Sequence, residues 1–184
     1  MKKLFSIGAV LALLILPFSK SNAYPPGSSS VTAFWLDVNV VNQIAASGAV
    51  TLKIYAGMDQ SGNFCYYMVG GDAGYNTIGD NVFMQKSSGV CPPQCDFTSV
   101  NLGEGTNANV SGAQATEAIN AYMSSFAGVK NCARFTMSSL STLRSSSAYL
   151  KVSIGTSATA AGLKSDGTVS GKSNVLGTAA MTGL

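Results

Sequence analysis

Nonpolar and polar residues alternate along several short segments of this chain, and this pattern constrains its fold more than any other feature. The nonpolar positions are Phe34, Leu36, Val38 and Val40; Val50, Leu52 and Ile54; and Leu150, Val152 and Ile154. Successive side chains of a strand point to opposite faces of a sheet, so a period of two predicts strands with one buried face. A turn at residues 61–63 joins the second segment to FCYYMV, which predicts a hairpin over residues 49–69.

One segment has the periodicity of a helix instead. Ser111 and Gln114 form an S-x-x-Q capping box, and nonpolar residues recur at helical spacing from Ala115 to Phe126. Gly128 is suited to end the helix. The sequence therefore predicts a mainly β fold, an antiparallel sandwich or sheet with one amphipathic helix at about 112–128, with an α+β fold as the alternative.

The first 23 residues have the pattern of a secretory signal peptide. Lys2 and Lys3 precede a nonpolar run over residues 4–18, and residues 21–23 (SNA) have the small residues of a cleavage site. The run is short for a spanning helix, which needs roughly 20 residues. We therefore expect an exported chain, located in the periplasm, at the cell surface or outside the cell, with no membrane span after cleavage.

The remainder of the chain divides by composition into three parts. We expect a flexible lead-in over residues 24–30, a β-rich domain with one helix over residues 31–155, and a small-residue-rich segment over residues 156–184. A turn at residues 165–167 is suited to join two weak strands in the last segment.

Charge bears on the class of partner. Of the 11 basic residues, three lie in the signal segment, which leaves eight basic residues against eight acidic ones. A neutral chain has no basic surface of the kind that nucleic-acid binding requires, so we expect no nucleic-acid partner. Charged residues make up only 10% of the chain, against about 25% in ordinary domains, and a weakly charged surface favours association.

The four cysteines, Cys65, Cys91, Cys95 and Cys132, are expected to form two disulfides, because an even number of cysteines in an exported chain is typical of a disulfide framework. A zinc site made of four thiolates usually has two close pairs, and here only Cys91 and Cys95 are close. A thioredoxin-like pair has two intervening residues, not three. We favour pairing Cys91 and Cys95 separately with Cys65 and Cys132, and a local Cys91–Cys95 bridge is the alternative.

The chain contains no histidine. This excludes Ser-His-Asp and Cys-His nucleophilic sites and zinc hydrolases that use histidine ligands. Asp72, Asp80 and Asn81 lie in a Gly-rich loop and have oxygens of the kind that bind calcium, but their spacing matches no EF-hand, and turn formation explains them. We therefore expect no catalytic residue, no cofactor and no metal site.

The leading functional hypothesis is a non-catalytic structural, fibre-like or adhesive surface protein. Such a protein acts through self-association or through contacts with other cell-surface proteins. Phe34, Leu36, Val38 and Val40 form the candidate assembly strand, which would add to the sheet of a neighbour, although an ordinary internal strand explains the same pattern.

Two alternatives belong to other classes. The first is a periplasmic or secreted binding module for a small molecule or carbohydrate, with a candidate surface at Tyr55, Tyr66, Tyr67 and Tyr75; for Trp35 we favour core packing. The second is a hydrolase that works without histidine. Its candidate carboxylates are Asp37, Asp96, Glu104 and Glu117.

Overall fold

The computed structural model describes residues 29–79, 84–86, 89–92, 95–97 and 108–184. The strands are β1 (Ala33–Asp37), β2 (Thr51–Met58), β3 (Phe64–Gly71), β4 (Met84–Lys86), β5 (Val90–Cys91), β6 (Ala108–Asn109), β7 (Cys132–Thr136), β8 (Tyr149–Ile154), β9 (Ala158–Leu163) and β10 (Val175–Ala180). The helices are α1 (Val38–Ala46), α2 (Gly112–Ser125) and α3 (Ser141–Ser146). The predicted signal segment and residues 24–28 of the lead-in lie outside the described residues.

The strands form one antiparallel sheet in the order β5-β1-β8-β9-β10-β7-β2-β3-β4-β6, so the predicted mainly β fold is confirmed. Strands β1 and β3 are distant in this order, yet they meet in space. The Tyr66 hydroxyl donates a hydrogen bond of 2.9 Å to the Trp35 carbonyl oxygen, and the rings of Phe34 and Tyr66 are 5.7 Å apart. The sheet therefore curls until it is nearly closed.

Alternate residues of the long strands fill the space inside the curled sheet, as a period of two predicts. Strand β2 contributes Leu52 and Ile54, and β8 contributes Leu150 and Val152, all of them buried in one hydrophobic cluster. Burial of such side chains contributes about 1.5–3 kcal/mol each to the free energy of unfolding. The inside of the sheet is thus the main core.

The predicted hairpin is confirmed, because β2 pairs with β3 along its whole length, from Thr51 opposite Gly71 to Met58 opposite Phe64. Two loops of the same geometry flank β3, at residues 59–63 and 72–76, and we call them the twin Asx loops. Each begins with an Asp and ends with an Asn. The first Asp oxygen accepts hydrogen bonds from the backbone N–H groups two and four residues later, and the second accepts from the Asn side chain.

The candidate assembly strand is wrong in its second half, because Val38 and Val40 lie in α1. The Asp37 side chain accepts a hydrogen bond of 2.8 Å from the Asn39 backbone N–H, and this N-cap ends β1 and begins the helix. The first half, Phe34 and Leu36, is fully buried in the core, and β1 pairs with β5 on one side and β8 on the other. It is an internal strand rather than one available to a neighbour.

The predicted helix is confirmed as α2, including the reciprocal capping box between Ser111 and Gln114. It packs on the outer face of the sheet, against the β2–β3 hairpin, where it buries Ala115, Ala118 and Ile119. The expectation of a single helix is wrong, since α1 and α3 are present as well. Their buried side chains join the main core.

The small-residue-rich segment over residues 156–184 supplies β9 and β10 to the middle of the sheet. Asp166 holds the predicted turn by accepting hydrogen bonds from the backbone and hydroxyl of Thr168, at 2.9 and 2.7 Å. Across the described residues, every helix is too short or too polar to cross a membrane.

Replacement of Asp37 by Ala should lower the free energy of unfolding by about 1 kcal/mol, because α1 loses the acceptor for its first-turn N–H. Urea unfolding followed by circular dichroism measures this change. Asp37→Asn is the matched control, because its side-chain oxygen keeps the cap, and it should retain most of the stability. Equal losses in the two variants would contradict the assigned cap.

Candidate functional site

A cleft opens on the outer face of the sheet between the tip of the β2–β3 hairpin and helix α2. Its volume is about 720 Å³, which is within the usual range for small-molecule sites. We call it the hairpin–helix cleft. It is lined by Met58, Asp59, Gln60, Ser61, Tyr67, Gln114, Glu117, Ala118, Ala121 and Ser125.

The hairpin and the helix each supply one wall of the cleft. On the hairpin, Asp59 and Ser61 belong to the first twin Asx loop, which fixes their backbone. On α2, Gln114, Glu117 and Ser125 point away from the buried stripe and are exposed. The cleft therefore combines carboxylate, amide and hydroxyl groups, which bind hydroxyl or amino groups of a ligand, and no Lys or Arg of the described residues lines it.

Tyr67 forms the floor of the cleft and is only 2% exposed. Its ring occupies the space beside Gly57, where a Cβ atom would come within 2.6 Å of the ring. Burial raises the pKa of the Tyr67 phenol, and the neighbouring Cys65 thiol and the carboxylates of Asp59 and Glu117 raise it further. Tyr67 thus remains a neutral phenol at physiological pH, next to two negative charges.

Asp59 is held by the hairpin rather than free for chemistry. One of its oxygens accepts hydrogen bonds from the backbone N–H groups of Ser61 and Asn63, both at 2.9 Å, and the other accepts from the Asn63 side chain at 3.3 Å. A general base needs a free lone pair directed at the substrate. Asp59 is therefore better suited to binding than to acid–base catalysis.

The favoured disulfide pairing is wrong, and the local alternative is present instead. Cys91 is bonded to Cys95, while Cys65 and Cys132 are buried thiols. The reason lies in the topology of the sheet. Cys65 on β3 and Cys132 on β7 lie on the strands that flank β2, in the cluster beneath α2, whereas Cys91 lies beside β1 and packs with Trp35.

The environment of the two thiols is that of core residues. The Cys65 thiol lies 3.6 Å from the Tyr67 hydroxyl, to which it donates. Burial raises the pKa of the Cys132 thiol to about 11, although Arg134 and Lys53 act in the opposite direction. A thiol with such a pKa is protonated at neutral pH and is a poor nucleophile or metal ligand.

The candidate carboxylates of a hydrolase fall on separate elements. Asp37 caps α1, Asp96 follows the disulfide, and Glu117 lines the hairpin–helix cleft. Glu104 lies outside the described residues, as do Asp80 and Asn81 of the calcium hypothesis. In the part of the chain that the structure describes, no three carboxylate or cysteine side chains are grouped as metal ligands.

The candidate tyrosine surface is not a surface. Tyr55, Tyr66 and Tyr67 are buried, and only Tyr75 is partly exposed. Trp35 is 1% exposed, so the interpretation of this residue as a core residue is confirmed.

The chain matches no protein-family model, and it matches no curated protein and no solved structure.

Sequence reasoning identified Glu117 and Tyr67 individually but missed Asp59, Gln114 and Ser125 as neighbours in one cleft. The capping box did indicate part of the cleft wall. It places Gln114 on the exposed side of α2, and Glu117 follows on the same side one turn later. No signal in the sequence indicated which strands α2 covers.

We expect native protein at pH 8 to resist alkylation by iodoacetamide at Cys65 and Cys132. Burial blocks access, and with a pKa of about 11 only roughly a thousandth of the Cys132 thiol is ionised at that pH. Mass spectrometry of digested protein measures the modification. In guanidinium chloride both residues should react without a reductant, while Cys91 and Cys95 should react only after reduction. A requirement for reduction at Cys65 or Cys132 would contradict the structure.

Proposed function

We infer that this chain is an exported, non-catalytic binding protein, and that its ligand is a small polar molecule held in the hairpin–helix cleft. The observation that carries this proposal is the cleft itself, in which side chains from the hairpin and from α2 converge over the Tyr67 floor. Sites for small molecules combine a concave shape with a few fixed polar groups, and this cleft has both.

The polar groups of the cleft favour a ligand with hydroxyl or amino groups. Glu117 offers an exposed carboxylate and Ser125 a hydroxyl oxygen as acceptors, and Gln114 offers the N–H donors of its amide, whose oxygen belongs to the capping box. The less polar part of the wall, at Met58 and Ala118, is suited to the carbon skeleton of the ligand. A sugar or an amino compound of this size would use both kinds of contact.

Export is supported by the sequence of the first 23 residues and is compatible with the Cys91–Cys95 disulfide, since disulfides persist mainly in oxidising compartments. Binding is favoured over catalysis because the chain has no histidine and because the Asp59 carboxylate is engaged by its own loop.

The substitution Ser125→Trp should block ligand binding, because Ser125 lines the cleft and the indole would fill the space between α2 and the hairpin. A library of neutral sugars, amino sugars and amino compounds, screened by ligand-observed NMR, would supply the probe. The affinity of the wild-type protein for each hit is then measured by calorimetry. We expect Ser125→Trp to weaken binding at least about tenfold.

Ser124→Trp is the matched control, because Ser124 is exposed on the same turn of α2 but does not line the cleft. It should bind as the wild type does. The proposal fails if no compound of the library binds, or if the two Trp variants bind a hit equally well.

A second candidate function is contact with another copy of the chain, as the leading sequence hypothesis holds. Among the described residues the exposed large nonpolar side chains are Val50, Val169, Leu176 and Met181, and three of these four lie in residues 156–184. Leu176 is the most exposed, on the outward side of β10. With eight charges of each sign outside the signal segment, two copies would not repel each other strongly.

Self-association through the exposed nonpolar side chains of residues 156–184 should be weakened about tenfold or more by Leu176→Asp, because the charge would be buried at the contact. Sedimentation velocity over a range of protein concentrations measures it. Val50→Asp, at the start of the β2–β3 hairpin, is the matched control and should leave association unchanged. A protein that stays monomeric at the highest concentration would exclude this candidate.

A further inference from the structure

Two cations lie opposite each other on neighbouring strands at the outer face of the sheet. Lys53 on β2 is the register partner of Arg134 on β7, and Lys53 is only 4% exposed. Like charges directly opposite each other in a sheet repel, and burial removes the water that would screen them. The pair therefore destabilises the sheet unless a negative group offsets it.

The contacts of the two cations leave donors unused. Lys53 Nζ donates to Thr77 Oγ1 at 2.9 Å and lies 5.8 Å from the ring centre of Tyr55. The Arg134 guanidinium lies 5.5 Å from the ring centre of Tyr75, and its buried Nε has no hydrogen-bond partner among the described residues. An ammonium has three N–H donors and a guanidinium has five, so several remain for a ligand.

Within the described part of the chain, neither cation forms an ion pair with a carboxylate. Burial and the neighbouring Arg134 lower the pKa of the Lys53 ammonium, whereas the Cys132 thiol and, less strongly, Asp72 raise it. The Asp72 carboxylate, however, closes the second twin Asx loop: it accepts hydrogen bonds from the backbone N–H groups of Gly74 and Asn76 and from the Asn76 side chain, at 2.8–2.9 Å. Asp72 therefore balances the two positive charges only in part.

Tyr75 provides a second, independent observation at the same place. Its φ of +63° lies in the left-handed region, which residues other than Gly rarely adopt. The equivalent position of the other twin Asx loop is Gly62, with a φ of +82°. The strain at Tyr75 thus places an aromatic ring against Arg134, and strained residues of this kind are concentrated at ligand-binding sites.

We propose that Lys53 and Arg134, together with the Thr77 hydroxyl, bind an oxyanion: the carboxylate, phosphate or sulfate group of a ligand. Thr77 is exposed, and Tyr75 and Arg134 are partly exposed, so the group reaches the cations from solvent. The guanidinium provides a planar fork for two oxygens, the ammonium provides a point charge, and Thr77 completes the set. The negative charge of the oxyanion offsets the repulsion between Lys53 and Arg134, so its binding stabilises the fold.

The site is independent of the hairpin–helix cleft. Lys53 lies toward the opposite end of β2 from Met58 and Asp59, and none of the three binding residues lines that cleft. The oxyanion site can therefore be tested separately from ligand binding in the hairpin–helix cleft.

The test is a titration of 15N-labelled protein with sodium phosphate, sodium sulfate or sodium acetate, with sodium chloride adjusted to keep the ionic strength constant. We expect saturable shifts of the amide signals of Lys53, Thr77 and Arg134 and a rise of several degrees in the melting temperature. Saturation by phosphate and sulfate alone would indicate a tetrahedral group, and saturation by acetate a carboxylate; either result supports the site.

Lys53→Met should reduce the affinity about tenfold or more, because it keeps the buried methylene chain but removes the charge. Arg134→Lys, which keeps a charge and loses the fork, is the second variant and should weaken binding even if Lys53→Met folds poorly. Lys151→Met is the matched control, because Lys151 lies over the Trp35 ring at 5.2 Å with no second cation as its register partner. Shifts that do not saturate, or that persist in both site variants, would overturn the proposal.

Discussion

The hydrogen bond from the Tyr66 hydroxyl to the Trp35 carbonyl oxygen spans the place where the sheet nearly closes. A phenol buried at this depth requires a partner, because an unsatisfied hydroxyl in the core would cost about 1–3 kcal/mol. Beside it, the rings of Phe34 and Tyr66 pack across the same gap. The curvature of the sheet places one face of the long strands in the main core, and it leaves the outer face for α2, the hairpin–helix cleft and the two opposed cations.

Features coded by neighbouring residues could be predicted from the sequence. The β2–β3 hairpin and the capping box of α2 depend on residues a few positions apart, and both were predicted correctly. The boundary of β1 could not be predicted from alternation alone. The segment VNVVNQIAA is compatible with a strand through Val38 and Val40 and with a helix that buries Val38, Val41 and Ile44, and the cap at Asp37 decides between them.

The cleft and the cysteine pairing depend on contacts that sequence spacing does not reveal. Glu117 lies near the hairpin only because α2 packs across β2. The sequence of α2 predicts a buried side of the helix, but it does not indicate which strands pack against that side. Cys65 and Cys132 come under the same helix, while Cys91 lies with β1 on another part of the sheet. Without the strand order, the sequence left three pairings of the four cysteines open, and the pairing that we favoured was wrong.

The twin Asx loops also bear on the order in which the chain folds. Strand β3 has a hydrogen-bonded loop at each end. Residues 51–76 therefore contain the turn of the hairpin, both of its paired strands and the loop that ends β3. By contrast, β1 pairs with β8, whose residues follow it by more than roughly a hundred positions, and such pairings form slowly because a large loop must close first. We therefore expect the hairpin to form early, with β7 and α2 packing on it, and β1 to join only after the C-terminal half of the chain is in place.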